Sequence, residues 1–114
     1  MKAAPAASAS SLLDGDTLRA IRSRAPGYDE RNEFFTEDLA QLKALGYLAP
    51  RGLSDTVADQ RLLAAHAPAT ALGVGMHLTW MGVARDMVAQ GFTEFQWILD
   101  AGHAGEVFAF GVSE

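Results

Sequence analysis

From Ala67 to Ala84 the chain carries no charged side chain, and any fold must find a place for that run. Its length approaches what a helix needs to cross a bilayer, so a membrane span is the first reading to weigh. Pro68, His77 and the glycines at 73, 75 and 82 interrupt it, and Thr70 and Thr79 add polar groups. Small residues spaced like Ala71 and Gly75 let helices approach closely in either solvent. The balance predicts no membrane span. It predicts a long helix from about Thr70 to Gln90, buried on most of its sides inside a larger protein, with Gly91 as its stop.

After Leu62 the only charged residues are Arg85, Asp86, Glu94, Asp100, Glu106 and Glu114, so the second half expects more burial than the first. Upstream, Asp16 is placed to cap a short surface helix with Leu18 and Ile21 on one side, ended by Pro26-Gly27. Thr36 is placed to cap a second helix, whose Leu39, Leu42 and Leu45 recur at helical spacing before Gly46, with Phe34 and Phe35 just ahead of the cap. Ser54 is placed to cap a third helix through His66, which Pro68 terminates. Thr93 to Gln96 fits a capping box and predicts a fifth helix from Glu94 to about Ala101.

The pattern then changes period. Phe108, Phe110 and Val112 alternate with Ala109, Gly111 and Ser113, the two-residue repeat of a strand. One strand has no partner for its backbone donors and acceptors, which predicts that further polypeptide pairs with it. The expected fold class is therefore all-α, a bundle of about five helices with a single C-terminal β-strand. Residues 1–11, rich in Ala and Ser and without the features of a signal peptide, are expected to form a disordered leader. Residues 12–106 are the helical domain, and 107–114 the first strand of a missing sheet domain.

Several function classes recede. The net charge is -5, and no basic patch suited to a phosphate backbone is evident, so nucleic acid is not an expected partner. Cysteine is absent, which removes disulfides and thiolate chemistry and is compatible with a cytoplasmic location. His66, His77 and His103 match no common chelating spacing, so no metal is expected. Gly73-Val74-Gly75 lacks the third glycine and the preceding strand of a dinucleotide loop. The acidic pairs Asp29-Glu30 and Glu37-Asp38 read as solvation and helix-dipole complementarity. His77, flanked by Met76, Leu78, Trp80 and Met81, reads first as a hydrogen-bonded core histidine and second as a lining residue of a substrate pocket.

Several phrases, in order, resemble the N-terminal domain of the acyl-CoA dehydrogenase family. Arg24 to Asp29 is similar to an early A-x-x-Y-D segment, and Phe35 to Leu48 to an F-x-x-x-x-x-x-L-x-x-x-G-Y-L helix. Leu63 to Leu72 resembles L-A-x-x-x-P-S-T-A-L, and Met76-His77 resembles a Met-His pair of one branch. Ala104 to Glu114 resembles the G-E-x-x-A-x-x-x-[ST]-E segment that leads into the flavin-binding sheet. Together these phrases span about four-fifths of the chain.

The resemblance implies FAD as cofactor, an acyl-CoA thioester as substrate and an electron-transfer partner, with α,β-dehydrogenation in the intact protein. It places Phe110, Gly111, Val112 and Ser113 against the flavin, through backbone groups and a hydroxyl. Read by themselves, those four residues favour an ordinary strand entering a sheet. The family's catalytic base lies downstream of Glu114, so no catalytic residue is assigned here and the chain alone is not expected to catalyse. The Pro50 to Ser54 connector is short and lacks the family's usual G-G-x-G loop. The family also implies a homo-oligomer as one assembly. Two rival readings stand: a non-enzymatic helical interaction module, and a fragment of a flavin-dependent monooxygenase of the same fold.

Overall fold

The computed structural model describes residues 11–109. Among these the order is α1 (Gly15–Arg31), α2 (Thr36–Ala44), α3 (Leu53–His66), α4 (Pro68–Ala89), a 3₁₀ turn (Thr93–Phe95) and α5 (Gln96–His103). The helical expectation holds, but the strand is not seen: Val107–Ala109 carry no regular structure, and residues 110–113 of that expectation lie outside the described residues.

Several boundaries differ from the sequence reading, each for a local reason. α1 starts earlier than an Asp16 cap would have it, because the Asp14 carboxylate accepts from Thr17 N at 2.7 Å. It also runs through Pro26 to Arg31. A proline inside a helix frees the carbonyl four residues back, here that of Arg22; Arg22 and Pro26 both lie on the exposed face, so the freed carbonyl does not have to find a partner in the core. The true stop is Asn32, in the left-handed region at φ 52°, with Asn32 N–H donating to Asp29 O and Glu33 N–H to Tyr28 O.

At the start of α2 the expected Thr36 cap is absent, and the Tyr28 hydroxyl reaches across from α1 to accept from Glu37 N at 3.2 Å. α3 begins at Leu53 behind Gly52 rather than behind a Ser54 cap. Pro68 opens α4, since the first helical position needs no backbone donor. The capping box at Thr93 does not form. The Gln96 N–H already bonds Thr93 O in the 3₁₀ turn, and the Gln96 amide turns to Asp100 Oδ1 at 3.0 Å. Gly46 and Gly105, at φ 79° and 87°, close α2 and α5 with the same paired backbone bonds that end α1.

α4 organises the interior. Its buried stripe reads Thr70, Ala71, Val74, His77, Met81 and Ala84. The first half packs into a core of Leu13, Leu18, Ile21, Leu42, Tyr47, Leu62 and Leu63, whereas Met81 and Ala84 pack with Ile98 and Leu99 of α5. Fully burying one Leu or Ile side chain stabilises by about 1.5–3 kcal/mol, so these two clusters supply most of the drive for packing. Within this chain the burial of α4 is one-sided: Leu72 is 82% exposed and Met76 43%. Among the described residues only one face of the helix is covered.

Two buried carboxylates fasten the helices. Asp38, fully buried on α2, accepts from Arg24 Nε of α1 at 2.7 Å and from the Thr70 hydroxyl of α4 at 2.8 Å. Reading it as surface solvation was wrong. A buried carboxylate persists only where charge-assisted bonds replace its hydration, and these two partners do so. Asp59 of α3 accepts from Leu12 N at 3.1 Å and Arg51 Nη1 at 2.8 Å, and also from the Ser11 hydroxyl. Ser11, counted with the leader, is thus held against α3.

Candidate functional site

Two features stand apart from ordinary packing. The first is the His77 ring, which is 0% exposed and lies between the two cores. Its Nε2 sits 2.7 Å from the Leu48 carbonyl oxygen, an acceptor only, so Nε2 carries the proton. Nδ1 then accepts from the Phe108 backbone N–H at 3.1 Å. One donor and one acceptor are what a neutral imidazole offers, and both are used. Phe108 stacks on the same ring with centroids 6.1 Å apart, and Trp97 of α5 tilts against Phe108 at 5.8 Å. His77 therefore joins the corner after α2, the middle of α4 and the segment after α5.

A second polar chain runs beside it. The Tyr47 hydroxyl donates to Gln60 Oε1 at 2.9 Å, and Gln60 Nε2 donates to the Ala71 carbonyl at 3.0 Å, linking that corner to α3 and α4. Burial, and then the nearby Asp59 charge, push the Tyr47 phenol well above its ordinary range.

The second feature is an open groove of about 920 Å³ between α3 and α4. The two helices form an antiparallel hairpin turning at Ala67, with Gln60 beside Ala71 and Gly75, and Gly52 near Arg85. Leu53, Val57, Leu72, Met76 and Val83 are exposed on its walls, and Gly75 and Gly82 line it where a larger side chain would fill it. Arg51, Arg61, Arg85 and Asp86 supply its charged groups. Arg51 is committed to Asp59, whereas Arg61 and Arg85 form no ion pair among the described residues. Comparison with protein-family models, with curated proteins and with solved structures finds no match to this chain. The chemistry of the site therefore has to be read from its own geometry.

The residues singled out from sequence fall in different places. Phe110, Gly111, Val112 and Ser113 lie outside the described residues. His77 does not line the groove; its neighbours Met76 and Leu78 do. His66 bonds the Leu62 carbonyl of its own helix through Nδ1, and His103 is exposed at the end of α5. No group of three or more acidic or histidine side chains converges as a metal site among the described residues, and none of their helices is long and apolar enough to cross a membrane. Sequence reasoning missed the groove. The signal was there in Leu72, Gly75, Met76, Thr79, Gly82 and Val83, which recur at helical spacing on the face opposite the buried stripe.

Proposed function

We propose that this chain is the amino-terminal helical part of a FAD-dependent acyl-CoA dehydrogenase-like oxidoreductase, where it helps wall the flavin and acyl pocket. The observation that carries the reading is a convergence in space. Leu48, from the Gly-Tyr-Leu phrase, His77, from the Met-His phrase, and Phe108, from the phrase that leads toward Ser113, meet at one imidazole. Phrases that resemble one family in order along the chain are thus also mutually dependent in the fold.

On this reading the backbone of residues 110–112 and the Ser113 hydroxyl would hold the cofactor, and a bound flavin would supply the hydride acceptor for α,β-dehydrogenation of an acyl-CoA. The contribution of the described residues is positional. His77 pins Phe108, and so fixes where the following backbone starts relative to α4 and α5. The test is to purify the full product of the gene that encodes this chain and record its visible absorbance. A flavin spectrum that bleaches anaerobically on addition of an acyl-CoA supports a dehydrogenase. A flavin reduced only by an external nicotinamide or reductase supports the monooxygenase-like relative, and a colourless, well-folded full-length protein sinks both.

The groove between α3 and α4 favours a second reading, a helical interaction module without enzymatic activity. That colourless protein is the outcome this reading expects.

A further inference from the structure

The groove is built like a seat for a helix. On α4 the outward residues repeat after seven positions: Leu72 and Thr79, Gly75 and Gly82, Met76 and Val83. Two helical turns separate the members of each pair, and every second turn offers a glycine beside a larger residue. Such a repeat makes evenly spaced holes for the side chains of another helix, whereas a small ligand has no use for it. α3 supplies the opposite wall with Leu53, Val57, Gln60 and Ala64. From Leu53 to Ala64 that wall runs about 17 Å, the length of three helical turns.

Charge selects the occupant. The chain as a whole is at -5, yet with Arg51 neutralised by Asp59 the groove still carries Arg61 and Arg85 against Asp86. Arg85 sits toward the Gly52 end and Arg61 lies about 12 Å further along α3, so unpaired cations stand at separated points along an apolar trough. We propose that the α3–α4 groove docks an acidic amphipathic helix of another polypeptide, with apolar residues at i, i+3, i+4 and i+7 facing the trough and carboxylates flanking them over Arg61 and Arg85. This inference rests on the groove alone and stands whether or not the flavin reading holds.

The test uses the 114-residue chain and two synthetic, fluorescently labelled helical peptides with the same leucine stripe. One is flanked by Glu and the other by Lys. By fluorescence anisotropy the Glu peptide binds saturably and weakens with added salt, and the Lys peptide binds about tenfold or more weaker. The double substitution Arg61→Glu with Arg85→Glu reverses that preference, while circular dichroism stays unchanged because both side chains are exposed. Gly82→Leu, which fills the trough, weakens both peptides. Absence of saturable binding overturns the proposal, as does equal affinity for the two peptides or indifference to the arginine substitutions. Two other results also overturn it: self-association of the chain that the arginine substitutions dissolve, which gives the groove to a second copy, and binding to phosphatidylserine vesicles with no peptide preference.

Discussion

The backbone N–H of Phe108 donates to Nδ1 of His77 across 3.1 Å, tying the segment after α5 to the middle of α4. The bond places a polar side chain at the boundary of two apolar clusters. It also satisfies a backbone donor that an alternating apolar sequence would otherwise offer to a neighbouring strand.

His77→Phe keeps a ring of similar volume and removes both ring nitrogens. It leaves the Leu48 carbonyl and the Phe108 N–H without their partner, which is expected to cost about 2–4 kcal/mol. Urea unfolding measures the loss. Amide exchange at Phe108 should accelerate more than exchange in the first half of α4; uniform acceleration would mean that the ring acts only through bulk packing.

Asp38 ties three helices, and its removal is expected to be costly. Asp38→Ala leaves Arg24 without its buried partner and should cost about 3–5 kcal/mol. Thr70→Val should cost about 1 kcal/mol in the native background and close to nothing once Asp38 is gone. A double-mutant cycle by urea denaturation reads the coupling, and additive losses would show that the Thr70 bond contributes nothing.

These residues mark where sequence reading stops. Gly46, Gly91 and Pro68 announced the ends of α2, α4 and α3, because backbone geometry is written into single residues. Asp38 announced nothing: an acidic residue in the first turn of a helix reads as dipole complementarity, and its partners stand 14 and 32 residues away. Pro26 misled for the same reason in reverse, since whether proline ends a helix depends on what the freed carbonyl can reach. At the candidate site, α4 shows two apolar faces in sequence, and periodicity alone does not say which one the rest of the chain covers. His77 was legible as a buried histidine in need of partners. That these would be two backbone groups from distant corners was not.

Stability should fall on the alkaline side because of Tyr47. Its folded pKa is raised above the unfolded value of 10.0 by burial, so its contribution is fully present below that value. As pH rises past about 10 the unfolded chain ionises and the folded chain does not, which favours unfolding until the folded value is reached. Tyr47→Phe should cost about 1 kcal/mol near neutral pH, through the lost bond to Gln60, and should flatten the alkaline decline. Thermal melts of both proteins across that range compare the slopes; identical slopes would refute the assignment.

Two glycines of α4 should respond to the same substitution with opposite signs. In a helix interior, alanine is favoured over glycine by about 0.5–1 kcal/mol, because glycine loses more backbone freedom on folding. At Gly82 an added methyl meets nothing within 4 Å, so Gly82→Ala should stabilise by about that amount. At Gly73 the same methyl would overlap the Phe35 ring, which packs against the first core and stacks on Phe34 with centroids 4.3 Å apart. The first core holds the partly buried ring on one side, and displacing it is expected to cost about 1–3 kcal/mol, more than the helical gain returns. Gly73→Ala should therefore destabilise, and Phe35→Leu should relieve the strain in the double variant. Urea midpoints for the two single variants and that double decide it. Equal stabilisation by both alanines would mean that Phe35 does not lie over α4.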